Sequence, residues 1–340
     1  MSAALVRIAV DAMGGDYAPR AIVEGAVNAV TPSDAPFSCV LLGDKPKLDA
    51  LLDELHPSRE RIEVVHTTQV VEMSESPTNA LRNKKDSSLV RGFALHKEGD
   101  VDAFVSAGNT GAVLAGATLL LGRIHGVSRP TIGTAFPNET GVCIVFDAGA
   151  SVDCKPRHLV EFAMMGSVYV ETLYGISSPK VGLLNVGEEK SKGNELSIKA
   201  YELLEKAPVN FVGNVEGKDV LKGTVEVVVC DGFVGNIILK FAEGVIGLLK
   251  KQFQDYAKKS IMHTLWMGLM SGTLKKVLSN LDYQKYGGVP LLGVNGVTII
   301  GHGKSSPLAV QNMILKAHDS VAAHLNMRIE ESLRALIEPT

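Results

Sequence analysis

The chain has 340 residues, 46% of them hydrophobic, which is enough to bury a large core and excludes a disordered or fibrous polypeptide. Its 34 Lys and Arg nearly balance 37 Asp and Glu, for a formal net charge of −3, so no global field favours nucleic acid and any charged partner must be met by a local patch. Cys39, Cys143, Cys154 and Cys230 form no C-x-x-C pair, and no histidine stands near them at metal-ligand spacing, which reads as the thiol set of a reduced, cytoplasmic protein; separately, no metal and no cofactor are expected.

In chain order, apolar segments of strand length are predicted at residues 8–10, 39–42, 62–65, 103–105, 143–146, 181–184, 210–212, 225–229 and 297–300, with helical stretches between them. That alternation predicts an α/β fold, a doubly wound and mainly parallel sheet with helices on both faces. No repeat or low-complexity linker divides the chain, so one domain over residues 1–340 is expected. Residues 1–10 lack the pattern of a signal peptide, and no apolar run is expected to approach the roughly 18 residues that cross a bilayer.

The loops after these strands carry the chemistry. DAMGGD holds Asp11, Gly14, Gly15 and Asp16, and SAGNTGA holds Ser106, Asn109 and Thr110. DAGASVD follows residue 146, NVGEEKSKGNE starts at Asn185 and GNVEGKD at Gly213. CDGFVGN carries Asp231, Gly232 and Asn236, and GHGKSS carries His302. In a parallel sheet all seven are expected at one carboxyl edge, where helix N-termini offer N–H groups to a phosphate or a developing oxyanion.

Familiar motifs fail individually. Adjacent Gly14 and Gly15, followed by Asp16, break the G-x-G-x-x-G pattern of dinucleotide binding, and Gly303-Lys304-Ser305 lacks the earlier glycine of a P-loop because Thr298 stands there. Gly149-x-Ser151 begins like a nucleophile elbow, but Asp153 replaces its closing glycine, leaving Ser151 as a helix-start residue. Cys230 reads either as an acyl-carrying nucleophile or as a buried small hydrophobe ending a Val-rich strand. His302 is the one histidine expected on the loop edge. Asp11 and Asp16 are close enough in sequence to hold a divalent ion through water.

Lys190 and Lys192 stand just before a predicted helix N-terminus, a placement the helix dipole disfavours and an anionic ligand would relieve. Asn236 either caps a helix predicted over residues 237–249 or donates its amide to a carbonyl oxygen. Between Lys250 and Lys285 lie seven lysines and two acids, interleaved with apolar side chains that include the single Trp266. This basic amphipathic excursion, with Lys258, Lys259, Leu265, Trp266, Lys275 and Lys276, is expected either to pack within the domain or on a second subunit, or to touch a membrane or an acidic carrier protein.

Taken as an ordered series from IAVDAMGGD to GHGKSSP, these loops, with GRIHGVSRP, VDCKPRHLVEFAMMGSVY and YGGVPLLGVNG, resemble the phosphate acyltransferases of bacterial phospholipid synthesis, the PlsX family. The resemblance implies transfer of a long fatty acyl group from acyl carrier protein to inorganic phosphate, giving acyl phosphate. It also implies a homodimeric three-layer α/β/α fold similar to isopropylmalate dehydrogenase and phosphotransacetylase, with the excursion associated with dimer contacts and peripheral membrane attachment. It brings Lys192 and Asn236 forward as the catalytic pair. Where the family often has DVGAN, this chain has Ser151 at the last position. Two rivals stay open: a phosphotransacetylase acting on a small acyl coenzyme A, and a non-catalytic scaffold binding carrier or lipid.

Overall fold

The computed structural model describes residues 5–31, 37–55, 61–278 and 287–337. The chain begins β1 (Val6–Asp11), α1 (Arg20–Val30), β2 (Phe37–Gly43), α2 (Lys45–Leu55), β3 (Ile62–His66), α3 (Pro77–Asn83), α4 (Ser88–Glu98), β4 (Ala103–Ser106) and α5 (Thr110–Gly116). A π-helical turn, Ala117–Leu121, extends α5. Next come β5 (Thr131–Pro137), β6 (Val142–Phe146), α6 (Pro156–Tyr174), β7 (Lys180–Leu184), α7 (Glu195–Leu204), β8 (Asn210–Val215), α8 (Gly217–Lys222) and β9 (Val227–Val229). Two long helices, α9 (Gly232–Ala257) and α10 (Ile261–Leu278), precede β10 (Val289–Leu292), β11 (Val297–Ile300), α11 (Pro307–Ala322) and α12 (Leu325–Ile337).

All the strands join one sheet in the order β3-β2-β1-β4-β11-β10-β5-β6-β9-β7-β8. The expected α/β class and layers hold. Alternate residues of β1 and β2 bury Ile8, Val10, Cys39 and Leu41 against α1 and α11, while Ala9, Val40 and Leu42 face the opposite layer with α4 and α5. Past β5, the core gathers Phe146, Val181, Leu183, Val227 and Val229 under α6, α7 and α12.

Two strands that the sequence pattern did not predict change where the loops fall. β10 is antiparallel to both neighbours, β11 and β5, and β5 is antiparallel to β6. Consequently β6, β7, β8 and β9 run opposite to β1, β4 and β11. The seven loops therefore do not share one carboxyl edge; they divide into a group after β1, β4 and β11 and a group after β6 to β9. Both strands are hard to see in sequence: β5 contains Gly133 and ends at Pro137, and β10 is four residues long with Pro290 inside it.

Candidate active site

The loops after β1, β4 and β11 are packed on one another. Asp11 is 2% exposed and accepts a hydrogen bond from Ser106 Oγ at 2.7 Å and from the Met13 N–H at 3.2 Å. Burial pushes its carboxyl above the usual range, although hydrogen bonds from Ser88, Ser106, Met13 and Gly14 pull the other way. Ser106 Oγ in turn accepts from the Gly108 N–H at 3.0 Å. A side chain at Gly14 would strike the Asp11 carboxylate and stand 2.9 Å from the Gly108 nitrogen. Gly15 has φ +111° and lies against the carbonyls of Gly303 and Ala107, while the Asp16 N–H donates to the Gly303 carbonyl at 2.7 Å. Thus the close backbone approach expected of Gly14 and Gly15 is made to neighbouring loops.

Asn109 caps α5 by accepting from the Ala112 N–H at 3.0 Å, and its amide donates to the carbonyls of Glu72, Met73 and Glu75. Its polar atoms are used to pin the turn at 72–75. Thr110 and Asp16 are exposed, whereas Asp11 is buried, with Ser106 and the Met13 N–H on its carboxylate. His302 is exposed, and its Nδ1 accepts from the Lys304 N–H at 3.1 Å.

The second group contains the remaining candidates. Phe146 of β6, Val229 of β9 and Leu183 of β7 lie in one row across the sheet, so the loops that follow leave side by side, with neighbouring strands about 4.8 Å apart. After β6, Asp147 is fully buried; its Oδ1 accepts from the Ile132 N–H at 3.0 Å and the Ala150 N–H at 3.1 Å, and its Oδ2 from the Ser151 N–H at 2.6 Å. Burial raises its pKa, opposed by those same N–H donors. Ser151 starts no helix: α6 begins at Pro156, and the Ser151 carbonyl accepts from the Gly232 N–H at 2.8 Å. The sequence placed Asp147 in a motif without giving it a role, although a carboxylate directly after a fully apolar strand was the available signal.

After β9, Asp231 caps α9 by accepting from the Val234 N–H at 2.9 Å. The helix thus starts at Gly232, five residues before the predicted point, and Asn236 does not cap it. Asn236 is exposed on the second turn, beside Gly149, where a built Cβ would stand 3.5 Å from Asn236 Oδ1. Burial pushes the Cys230 thiol well above its usual value and the Cys154 thiol to about 11, which removes the thiolate that a nucleophile needs.

After β7, Asn194 caps α7 by accepting from the Ser197 N–H at 2.9 Å. Gly193, at φ +102°, lets the loop fold onto Ser197 and Asn185, and Asn185 Nδ2 holds the Lys192 carbonyl at 3.0 Å. The two lysines differ. Lys190 pairs with Glu205 and lies 5.1 Å over the Tyr201 ring, whereas Lys192 is exposed and makes no ion pair among the described residues. Its stem packs 3.2 Å from where a Gly187 side chain would begin.

α9 leaves this site and extends beyond the sheet; it is long and apolar enough to cross a membrane by length and composition, with 11% of its most apolar stretch buried. The expectation that no apolar run approaches that length does not hold for this helix: the sequence reading took residues 231–236 as a turn, ended the helix at residue 249 and counted the lysines from Lys250 as a separate excursion. Lys258 and Lys259 form the turn to α10, on which Leu265 is 65% and Trp266 59% exposed. Lys275 and Lys276 fall on α10 with side chains outside the described residues, as does Lys285 entirely.

Residues 6–328 match the family model described as "Fatty acid synthesis protein". The chain is 47% identical over 333 residues to a phosphate acyltransferase of Pelotomaculum thermopropionicum, covering 98% of this chain and 95% of that one. Against a phosphate acyltransferase of Heliobacterium modesticaldum it is 46% identical over 335 residues, covering 98% and 99%. Among solved structures, the phosphotransacetylase EutD of Staphylococcus aureus superposes with a TM-score of 0.61 at 17% identity, over 93% of this chain and 94% of that chain, a likeness of fold. Sequence match and fold agree over nearly the whole length, and the chain belongs to the phosphate acyltransferase family of fatty acid and phospholipid synthesis.

Proposed function

We propose that the enzyme takes a long-chain acyl group from the thioester of acyl carrier protein and transfers it to inorganic phosphate, with Lys192 and Asn236 at the reacting groups. The observation that carries this reading is the row Phe146, Val229 and Leu183. Along it, an exposed lysine with no ion pair among the described residues and an exposed amide stand on segments that follow adjacent parallel strands. A phosphate oxygen attacks the thioester carbonyl carbon, the carbonyl oxygen becomes an oxyanion, and the carbon–sulfur bond breaks to release the carrier thiolate, which takes up a proton. Lys192 offsets the charge of phosphate and Asn236 Nδ2 donates to the oxyanion. No enzyme nucleophile is needed: phosphate is anionic already, and a thiol of pKa about 8.5 is a good leaving group, so positioning and electrostatics supply the acceleration.

In this reading residues 1–340 act as one acyltransferase domain, residues 250–285 are its basic excursion, and the enzyme works as a homodimer at a membrane surface, carrying no cofactor or metal. The test is a hydroxylamine trap for acyl phosphate, offering phosphate with either long-chain acyl carrier protein or acetyl coenzyme A. Turnover with the carrier supports the reading. Preference for acetyl coenzyme A overturns the substrate, and no phosphate-dependent thiol release with either donor overturns the reaction.

A further inference from the structure

Beside the turn at Asp147 lies a group of cations that the acyl-transfer chemistry above does not use. They come from two segments: Arg123 and Arg129 from the stretch before β5, Lys155 and Arg157 from the start of α6. All four are exposed. A buried carboxylate joins the segments. Glu161, one turn along α6 and 0% exposed, accepts from the Ser128 N–H and the Ser128 Oγ, both at 2.8 Å, and pairs with Arg157 Nε at 3.0 Å. Arg123 donates to the Ser128 carbonyl. The Glu161 to Ser128 clamp therefore fixes the loop that displays Arg129 onto the helix start that displays Lys155 and Arg157.

The position follows from the sheet. β5 begins at Thr131, and Gly133 pairs with Phe146, so the residues just before β5 emerge at the edge where β6 and β9 end. Arg129 lies two residues before that strand, close enough for its charge to be felt at Cys154 and His158. The carboxylates of these two segments are Asp153, which is exposed, and Glu161, which is buried and paired. Among the described residues, Arg129 and Lys155 make no salt bridge. Basic side chains at the start of a helix are placed against its dipole, which leaves positive potential unspent on a chain of net charge −3.

We infer that Arg123, Arg129, Lys155 and Arg157 form the docking surface for the acidic face of the carrier protein that delivers the thioester. This rests on the reading of the donor as carrier-bound. Four exposed cations spread over two segments fit a protein surface better than a small anion, which is held by converging, sequestered donors. The surface sits at the rim of the loops that carry Asp231 and Asn236, so a docked carrier needs only its thioester arm to reach them. The carrier thus meets the enzyme at the sheet edge, and the exposed tip of α9 and α10 is left to other contacts.

Steady-state kinetics of the full-length Arg129→Glu/Lys155→Glu variant test this, varying acyl carrier protein and phosphate separately. The KM for the acyl carrier is expected to rise roughly tenfold or more, with the KM for phosphate unchanged and the difference shrinking at high salt. Arg129→Gln/Lys155→Gln should give a smaller rise in the same direction, and Lys206→Glu/Lys222→Glu, on exposed lysines elsewhere, should leave wild-type behaviour. An unchanged KM for the carrier in an active variant overturns the docking surface while the donor assignment stands. A raised KM for phosphate overturns it in favour of a small-anion site. If the wild-type enzyme does not use the acyl carrier at all, the donor reading itself falls.

Discussion

Asp11 and Asp147 are buried carboxylates held by N–H and O–H donors, and neither makes a salt bridge among the described residues. Burial raises both pKa values, so the native protein takes up these protons at a higher pH than the unfolded chain does. With more protons bound in the native state, stability falls as pH rises through the raised value and is regained on acidification towards the ordinary value of 3.8. Carboxylates with lowered pKa values, such as Glu54 beside Arg20 and Asp44 beside Lys47, act in the opposite sense but are common to parent and variant. The melting temperature of Asp11→Asn should therefore lag further behind the parent as pH is lowered from neutrality towards the ordinary carboxyl value of 3.8. A gap that stays constant across that range would remove the linkage. Lys192 and Asn236 are the contrasting case, exposed and without such a structural duty. Lys192→Ala and Asn236→Ala are each expected to lower turnover by roughly 10²–10³, the scale of one lost oxyanion donor, with melting temperature nearly unchanged. Near-normal turnover in both would withdraw the pair.

α9 is the element through which the fold sets the site. Its first turn is locked by the Asp231 cap and by Gly232 donating to Ser151, and Gly235 packs directly on the Asp147 backbone. A methyl group at Gly235 would collide with the Asp147 carbonyl, so Gly235→Ala must push the helix away and carry the adjacent Asn236 with it. Overpacking of this kind costs about 1–3 kcal/mol, and turnover should fall at least tenfold as the amide leaves its position. Gly244→Ala, with open space around it on the same helix, provides the comparison: full turnover there and loss at Gly235 locates the effect in the packing. Equal turnover in both variants would show that α9 does not set the amide. Such dependence was not legible in the sequence, where the start of α9 was read five residues late because Gly232 and Gly235 look like turn residues. Apolar strands were legible, since periodicity is a local signal, whereas the capping roles of Asn109 and Asn194 were not read and Asn109 was placed with the ligand loops. β5 and β10 were not legible, because their pairing is nonlocal and Gly133, Pro137 and Pro290 mask it.

At the scale of the molecule, the reversal of strand direction at β10 and β6 separates two sets of loops that the sequence placed together. One set packs on itself around Asp11 and Ser106 and exposes Asp16, Thr110 and His302, and the other exposes Lys192 and Asn236. That division also places the long helices: α9 starts within the second set, so the tip formed with α10 is a direct extension of the site. The tip exposes Ile261, Leu265, Trp266 and Leu269, at 83%, 65%, 59% and 82%. These side chains lie within a stretch of seven lysines and two acids, Lys250 to Lys285. Lysines close to an anionic leaflet contribute roughly 1 kcal/mol each, and apolar side chains among them insert at the interface. The wild-type enzyme should therefore float with vesicles containing anionic lipid and do so less well with neutral ones. Leu265→Glu should reduce flotation without affecting turnover on a water-soluble donor. Lys258→Glu/Lys259→Glu should reduce it more at low salt than at high salt, because only the electrostatic part is screened. Flotation unaffected by any of these changes would count against insertion and leave the exposed face to a second copy of the chain, which sedimentation of wild type and Leu265→Glu would then separate as dimer and monomer.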